Sequence, residues 1–247
     1  MKILLLDIET APNLAYVWGL WQQNVGINQI ESAGYVLCWA AKWLGSETLM
    51  FDSVKKSGTA KMLARIHKLL DEADAVVHYN GVKFDIPTLN KEFIKAEMQP
   101  PAPYKHIDLL LHCRRMFRFE SNKLDYVARA LGLGKKVKHE GFELWLQCMA
   151  GDRTAWKTME EYNRNDVTLL ESLYAKVLPW IDGHPNRSVY GEGLVCPNCG
   201  HGRAQARGYA VSKAAKFKRY QCCGCGHWFR SATRVTGLAT TYRQITG

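Results

Sequence analysis

Residues 4–10, LLLDIET, form an apolar run that ends in two acids flanking Ile8. Side chains alternate between faces along a strand, so Asp7 and Glu9 project together while Ile8 turns to the other side. Two adjacent carboxylates repel unless a retained proton or a divalent cation lies between them. Taken alone, the pair fits a solvated strand end equally well. Residues 11–30, which include Trp18 and Trp21, show no regular period. Residues 32–43 read as a strand and 47–51 as its hairpin partner across Gly45-Ser46. Apolar positions 62, 63, 66, 69 and 70 predict a helix over 59–73, and 75–79 reads as a short buried strand. A helix over 84–98 tolerates Pro87 in its first turn. Pro100, Pro101 and Pro103 then interrupt the chain before an apolar segment at 105–111. Helices are expected at 123–131, 142–149 and 153–178. Strands followed by mixed strands and helices predict an α/β body with a mixed β-sheet.

Two prolines and three glycines between 179 and 193 mark a linker. The expected organisation is a body over 1–180, a linker over 181–193 and a small module over 194–247. Charge divides the same way. The net charge is +10, yet residues 185–247 hold ten Lys/Arg against one acid, Glu192, and 1–184 hold 23 basic and 22 acidic residues. A neutral body with a strongly basic tail points to a polyanionic partner, nucleic acid before an anionic membrane. Asp7 cuts the opening apolar run after four residues, so no secretory leader is expected. The longest uncharged apolar stretch, 33–41, is too short to cross a bilayer. A cytoplasmic protein without a membrane partner is the expectation.

Three sites in the body carry acids. Beside Asp7/Glu9 stand Asp85 in HYNGVKFD and Asp166 in YNRND, where Tyr162 lies four residues earlier on the same helix face. Asp85 alone could be a helix cap, and Tyr162 a packed ring beside a solvated acid. In this order, however, hDxET, HYNGxxFD and YxxxD resemble the three motifs of the DEDD 3′–5′ exonucleases, which have a ribonuclease-H-like fold and include the proofreading domains of DNA polymerases. The resemblance covers about residues 1–178. Tyr162 resembles the Tyr-containing branch, whereas Glu161 stands where the other branch has His.

The resemblance implies a sheet flanked by helices and a catalytic set of Asp7, Glu9, Asp85, Tyr162 and Asp166. It implies two Mg²⁺ or Mn²⁺ ions, with Asp7 bridging them. Glu9 and Asp166 would complete the site of the water-activating ion, and Asp85 would support the second ion. Hard divalent ions prefer carboxylate oxygens, and an ion pair of this kind stabilises both attacking and leaving oxygens. Tyr162 would orient the attacking water. Asn80 could contact substrate or hold the Asp85 loop as ordinary turn chemistry. Trp18 and Trp21 could stack on terminal bases, but core packing is the expectation for them. His139, Glu140 and Glu143 sit in or near a basic run, KKVKHE at 135–140, that could touch the phosphate backbone, but a solvated loop is the expectation.

Cys196, Cys199, Cys222 and Cys225 form two C-x2-C knuckles, the spacing of a four-thiolate zinc site. The C-terminal module resembles a zinc ribbon with one structural Zn²⁺. Cys223 is a surplus thiol, His201 and His227 are alternative ligands, and disulfides are disfavoured in a reducing compartment. Arg203, Arg207, Lys213, Lys216, Lys218 and Arg219 are interleaved with Tyr209, Phe217 and Tyr220. Cations for phosphates and rings for bases suit single-stranded nucleic acid, unless the rings form the ribbon's small core. The expected activity is removal of nucleotides from single-stranded 3′ ends, of DNA rather than RNA, beside a separate polymerase or replication protein, or in repair. A structure-specific endonuclease and a catalytically silent nucleic-acid-binding scaffold are the competing readings.

Overall fold

The computed structural model describes residues 1–137, 140–212 and 215–236. The chain divides into two compact units, one of residues 2–174 and one from residue 175 onward together with Met1. The first begins with β1 (Ile3–Thr10), β2 (Leu14–Ala15), β3 (Ile30–Ser32), β4 (Val36–Trp43) and β5 (Leu49–Ser53). Helices α1 (Val54–Ser57) and α2 (Thr59–Asp71) lead to β6 (Ala75–His78), α3 (Asp85–Lys95) and β7 (Lys105–Asp108). Helices α4 (Leu109–Met116), α5 (Leu124–Ala130), α6 (Phe142–Met149) and α7 (Arg153–Val177) follow.

Five strands form one sheet in the order β5-β4-β1-β6-β7. β4 and β5 run antiparallel, while β1, β6 and β7 are parallel, which makes the sheet mixed as the sequence predicts. The apolar run of β1 explains its central place, because a strand covered on both faces needs little alternation. Leu4, Leu6 and Ile8 pack into one core with Met62, Leu63, Ile66 and Leu70 of α2 and Leu89 and Phe93 of α3. The opposite face meets α7, held by the Lys42–Glu171 ion pair at 2.6 Å. Arg164 Nη1 donates to the Leu49 carbonyl at 2.9 Å, which ties the same helix to β5.

Two departures from the sequence reading have local causes. Residues 105–111 divide between a strand and a helix at Asp108, whose carboxylate accepts the Leu110 and Leu111 N–H groups as an N-cap. Trp18 and Trp21 do not enter the core: they are 99% and 84% exposed. They lie in the connection between β1 and β4, and the two-stranded β2–β3 ribbon at its base is ordered by backbone and amide hydrogen bonds.

The second unit contains β8 (Ala204–Val211), β9 (Lys216–Cys222) and β10 (Trp228–Arg234) in an antiparallel sheet ordered β10-β9-β8. Within the 181–193 stretch, Arg187–Tyr190 forms a 3-10 turn, and Arg187 N donates to the Pro197 carbonyl at 2.8 Å. Among the described residues, no helix is long and apolar enough to cross a membrane.

Candidate active site and metal centres

β1 presents Asp7 and Glu9 on the face covered by α7. That helix supplies Tyr162, Asn163 and Asp166 within little more than one turn. Carboxylate oxygens of Asp7, Glu9 and Asp166 lie within 4.8 Å of one another. Asp85 approaches from the start of α3, where its Oδ1 accepts the Ile8 N–H at 3.2 Å. The fourth acid is therefore bonded to the backbone between the first two, outside the group of three.

The turn before Asp85 is set by close packing. Gly81 N donates to His78 Nδ1 at 3.1 Å, and a Cβ at Gly81 would stand 2.4 Å from the His78 ring. Only glycine permits that approach. Asn80 adopts a positive φ of 70° and donates its N–H to Asp108 Oδ1 at 2.9 Å. These contacts give Asn80 a turn-forming position.

Three residues absent from the sequence-derived set touch it. Asn163 Nδ2 donates to Asp7 Oδ2 at 2.6 Å, and Trp145 hydrogen-bonds Glu9. Lys136 Nζ donates to the Tyr162 hydroxyl at 3.0 Å and makes a very short contact with Asp166. Lys136 thus turns inward, which corrects the solvated-loop reading for that residue. Lys138 and His139 of the same run lie outside the described residues. The sequence signal for Lys136 was only its membership of a basic run; nothing local distinguishes it from Lys135.

Charge crowding dominates the electrostatics. Asp7 is held well above the usual carboxylate range by burial, then by Asp166, Asp85 and Glu9. Burial followed by Asp166 pushes Glu9 up to about 8, and burial raises Asp85 to about 6 against the pull of His78. Asp166 is raised by burial, although Lys136 and a hydrogen bond from Tyr162 oppose the shift. Burial alone would lower Lys136, but the Asp166 charge prevails and raises it. Tyr162 is raised by burial and then by Asp166, so its hydroxyl keeps its proton near neutrality. Among the described residues, Asp166 Oδ1 is buried without a hydrogen-bond partner. An unpartnered buried carboxylate oxygen beside two more acids is the donor set a hard divalent cation takes. The residues fit such ions.

A pH dependence follows from these shifts. The unfolded chain releases these protons near pH 4, whereas folded Asp85 and Glu9 hold theirs to about 6 and 8. In the absence of divalent ions, stability present at low pH should therefore fall as pH rises through that window. Added Mg²⁺ or Mn²⁺ competes with the same protons. The rise in Tm on adding the ion should be small at pH 5 and several degrees larger at pH 8.5. Thermal scans across pH check this; an ion-induced shift that ignores pH would exclude the acid cluster as the binding site.

In the second unit, Sγ atoms of Cys196, Cys199, Cys222 and Cys225 converge within 4.8 Å, with 3.8 Å between Cys196 and Cys225 and 3.5 Å between Cys199 and Cys222. A tetrahedron with zinc–sulfur bonds of about 2.3 Å has edges of about 3.8 Å. Gly200 and Gly226, both at positive φ, let each knuckle close on itself. Burial pushes Cys196 up to about 11. Cys222, although burial opposes it, is lowered to about 7 by the N–H groups of Cys225 and Gly224. Cys223 is exposed and outside the group. The four-thiol cluster fits a zinc ribbon.

Cations and rings share the ribbon's surface. Arg203, Arg207, Lys218 and Arg219 are exposed; Lys216 is partly buried, and Lys213 lies outside the described residues. Lys216 Nζ stands 3.9 Å from the Tyr209 ring centre, and the Arg219 guanidinium 5.2 Å from that of Trp228. Arg230, outside the sequence-derived set, lies 3.7 Å from the Phe217 ring centre. Tyr220 stacks on Phe229, whereas Tyr209 and Trp228 remain about half exposed. The rings are thus divided between a small core and the surface.

Residues 4–178 match the family model of the RNase_H superfamily. A family B DNA polymerase from the hyperthermophilic archaeon Pyrobaculum calidifontis shares the fold, with a TM-score of 0.55 at 18% identity. That match covers 72% of this chain and 24% of the polymerase. No curated protein sequence matches the chain. With the mixed sheet, the clustered acids and a model match over most of its length, the chain belongs to the RNase_H superfamily.

Proposed function

We propose that the body, residues 1–180, is a metal-dependent 3′–5′ exonuclease acting on single-stranded ends, DNA in preference to RNA. In this reading residues 181–193 are a linker and 194–247 a zinc-stabilised nucleic-acid clamp. The observation that carries it is the approach of Asp7, Glu9 and Asp166 carboxylate oxygens to within 4.8 Å of one another, with Tyr162 hydrogen-bonded to Asp166 and one buried Asp166 oxygen lacking a partner among the described residues. Divalent ions held by Asp7, Glu9, Asp85 and Asp166 would supply charge at the phosphate and an acidified water.

The chain's own residues do the rest. Asn163 fixes the Asp7 carboxylate, and Trp145 fixes Glu9, so neither acid has to reorganise when substrate arrives. Tyr162 donates to Asp166 and accepts from Lys136, which pins its oxygen. A pinned, protonated hydroxyl orients a water and does not act as the base. The basic ribbon would hold the strand through Arg203, Arg207, Lys213, Lys216, Lys218 and Arg219.

End-labelled DNA and RNA oligonucleotides incubated with Mg²⁺ or Mn²⁺ test this. A ladder shortening one nucleotide at a time from the 3′ end is expected, with DNA degraded faster and a blocked 3′ terminus stalling the reaction. Internal cuts in the blocked strand would replace the exonuclease by an endonuclease of the same fold. No product with either ion would leave a nucleic-acid-binding scaffold.

A further inference from the structure

The ribbon's three strands present two different faces, and the strand register separates them. Residues paired directly across an antiparallel sheet point to the same side, as do residues two apart along one strand. Gln205 of β8 pairs with Gln221 of β9, and Gln221 pairs with Trp228 of β10. Arg219 of β9 pairs with Arg230 of β10. On its other side Arg219 lies opposite the register shift between Ala206 and Tyr209, where β8 fits both Arg207 and Gly208 against it. One face therefore bears two rows abreast, Gln205–Gln221–Trp228 and Arg207–Arg219–Arg230. Phe217 and Arg234 follow as the next pair. Side-chain contacts agree: Arg207 Nη2 donates to Gln205 Oε1 at 2.7 Å, and the Arg219 guanidinium stands 5.2 Å from the Trp228 ring centre. The reverse face holds Lys218 paired with Tyr209, Lys216 against the same ring, and the Tyr220–Phe229 stack.

Three arginines abreast are a liability to a bare sheet, because like charges directly opposite each other destabilise it. The module's sequence supplies nothing to offset them: residues 193–247 contain no Asp or Glu. The guanidiniums are nevertheless held in place. Arg219 Nε donates to the Arg207 carbonyl at 2.9 Å, and Arg230 lies 3.7 Å from the Phe217 ring centre. A guanidinium fixed in this way keeps its planar fork for a phosphate, a geometry that an ammonium lacks. Beside the arginines, Trp228 is about half exposed and Gln205 is exposed. An indole stacks on a base, and amides meet base edges. The reverse face offers less, since Lys216 is partly buried and Tyr220 and Phe229 cover each other.

We infer that single-stranded nucleic acid lies along the Arg207–Arg219–Arg230 face, with phosphates on the arginine row and a base on Trp228. Arg230 and Trp228 thereby join the binding set. Lys216 and Lys218, on the reverse, add only long-range attraction. The inference rests on the clamp reading of the ribbon and narrows it to one face.

The test is fluorescence anisotropy with a labelled dT oligonucleotide at several salt concentrations, on the full chain carrying Asp7→Ala to prevent cleavage. Arg219→Gln/Arg230→Gln should weaken binding at least ~10-fold at low salt. It should also flatten the slope of log affinity against log salt by about 1.4, two phosphate contacts at about 0.7 each. Lys216→Gln/Lys218→Gln removes the same charge from the reverse face and should cost no more than about 3-fold, with the slope nearly unchanged. Equal losses in the two variants would overturn the inference, since net charge alone would then hold the strand. Trp228→Ala should weaken dT binding at least ~5-fold and leave the affinity for inorganic polyphosphate unaltered. Matching losses on both ligands would refute the base contact. Zinc per chain reports that each variant is folded. Should the Gln variant lose zinc, Arg219→Lys/Arg230→Lys keeps the charges and removes the forks, and undiminished affinity in that chain would overturn the arginine assignment. If neither double variant changes affinity, the clamp reading falls together with the inference. A loss confined to the lysine variant leaves the clamp standing and refutes only the choice of face.

Discussion

Asp7→Ala should lower turnover in the proposed exonuclease reaction by at least about three orders of magnitude, a loss of about 4 kcal/mol of transition-state stabilisation. Asp7 stands among the other acids: its carboxylate feels the charges of Asp166, Asp85 and Glu9, and its own charge is felt by Cys38. Its removal takes a central carboxylate from the cation site and leaves Asn163 Nδ2 without its 2.6 Å acceptor. Single-strand affinity should stay within a few fold of wild type, because the cations proposed to hold the strand belong to the other unit. Tyr162→Phe should cost less, about one to two orders of magnitude, since it removes an orienting hydroxyl and leaves every carboxylate in place. Steady-state rates and anisotropy on one oligonucleotide separate the two effects. An Asp7→Ala chain that cuts at a comparable rate would refute the cation assignment.

Cys199→Ala, or extraction of zinc by a strong chelator, should unfold the β8–β10 sheet and weaken single-strand binding by about two orders of magnitude at low salt. The sheet has little apolar interior: apart from Cys196, Cys222 and Asn198, its unit's buried side chains lie mainly in the segment before the knuckles. Metal binding in such a module supplies about 10–16 kcal/mol, which is in effect its folding energy. Each phosphate contact on a single strand contributes about 0.7 to the slope of log affinity against log salt. Losing about four contacts should therefore flatten that slope by about three. Circular dichroism with and without chelator reads the unfolding, and titrations at several salt concentrations read the slope. A ribbon that unfolds while the slope stays unchanged would show that its cations face a protein partner instead.

Acid placement was readable because it follows from local rules. The alternation that puts Asp7 and Glu9 on one face, and the four-residue spacing that aligns Tyr162 with Asp166, are properties of a strand and a helix wherever they occur. The same holds for the cysteine knuckles, whose short gaps leave the thiolates few arrangements. Helix α4 was not readable, because Asp108 ends one element and caps the next, and no periodic run separates the two.

The chain's order of residues by itself determined the mixed sheet, the motif sequence and the basic, cysteine-bearing C-terminal module. Only the tertiary structure decided that Lys136 lies against Asp166 and Tyr162, that Asn163 serves Asp7, and that Trp18 and Trp21 stand in solvent. The physical reason is sequence separation. Lys136 meets Asp166 across 30 residues and Asn163 meets Asp7 across 156, and contacts of that range depend on how whole elements pack, not on any pattern carried within one of them.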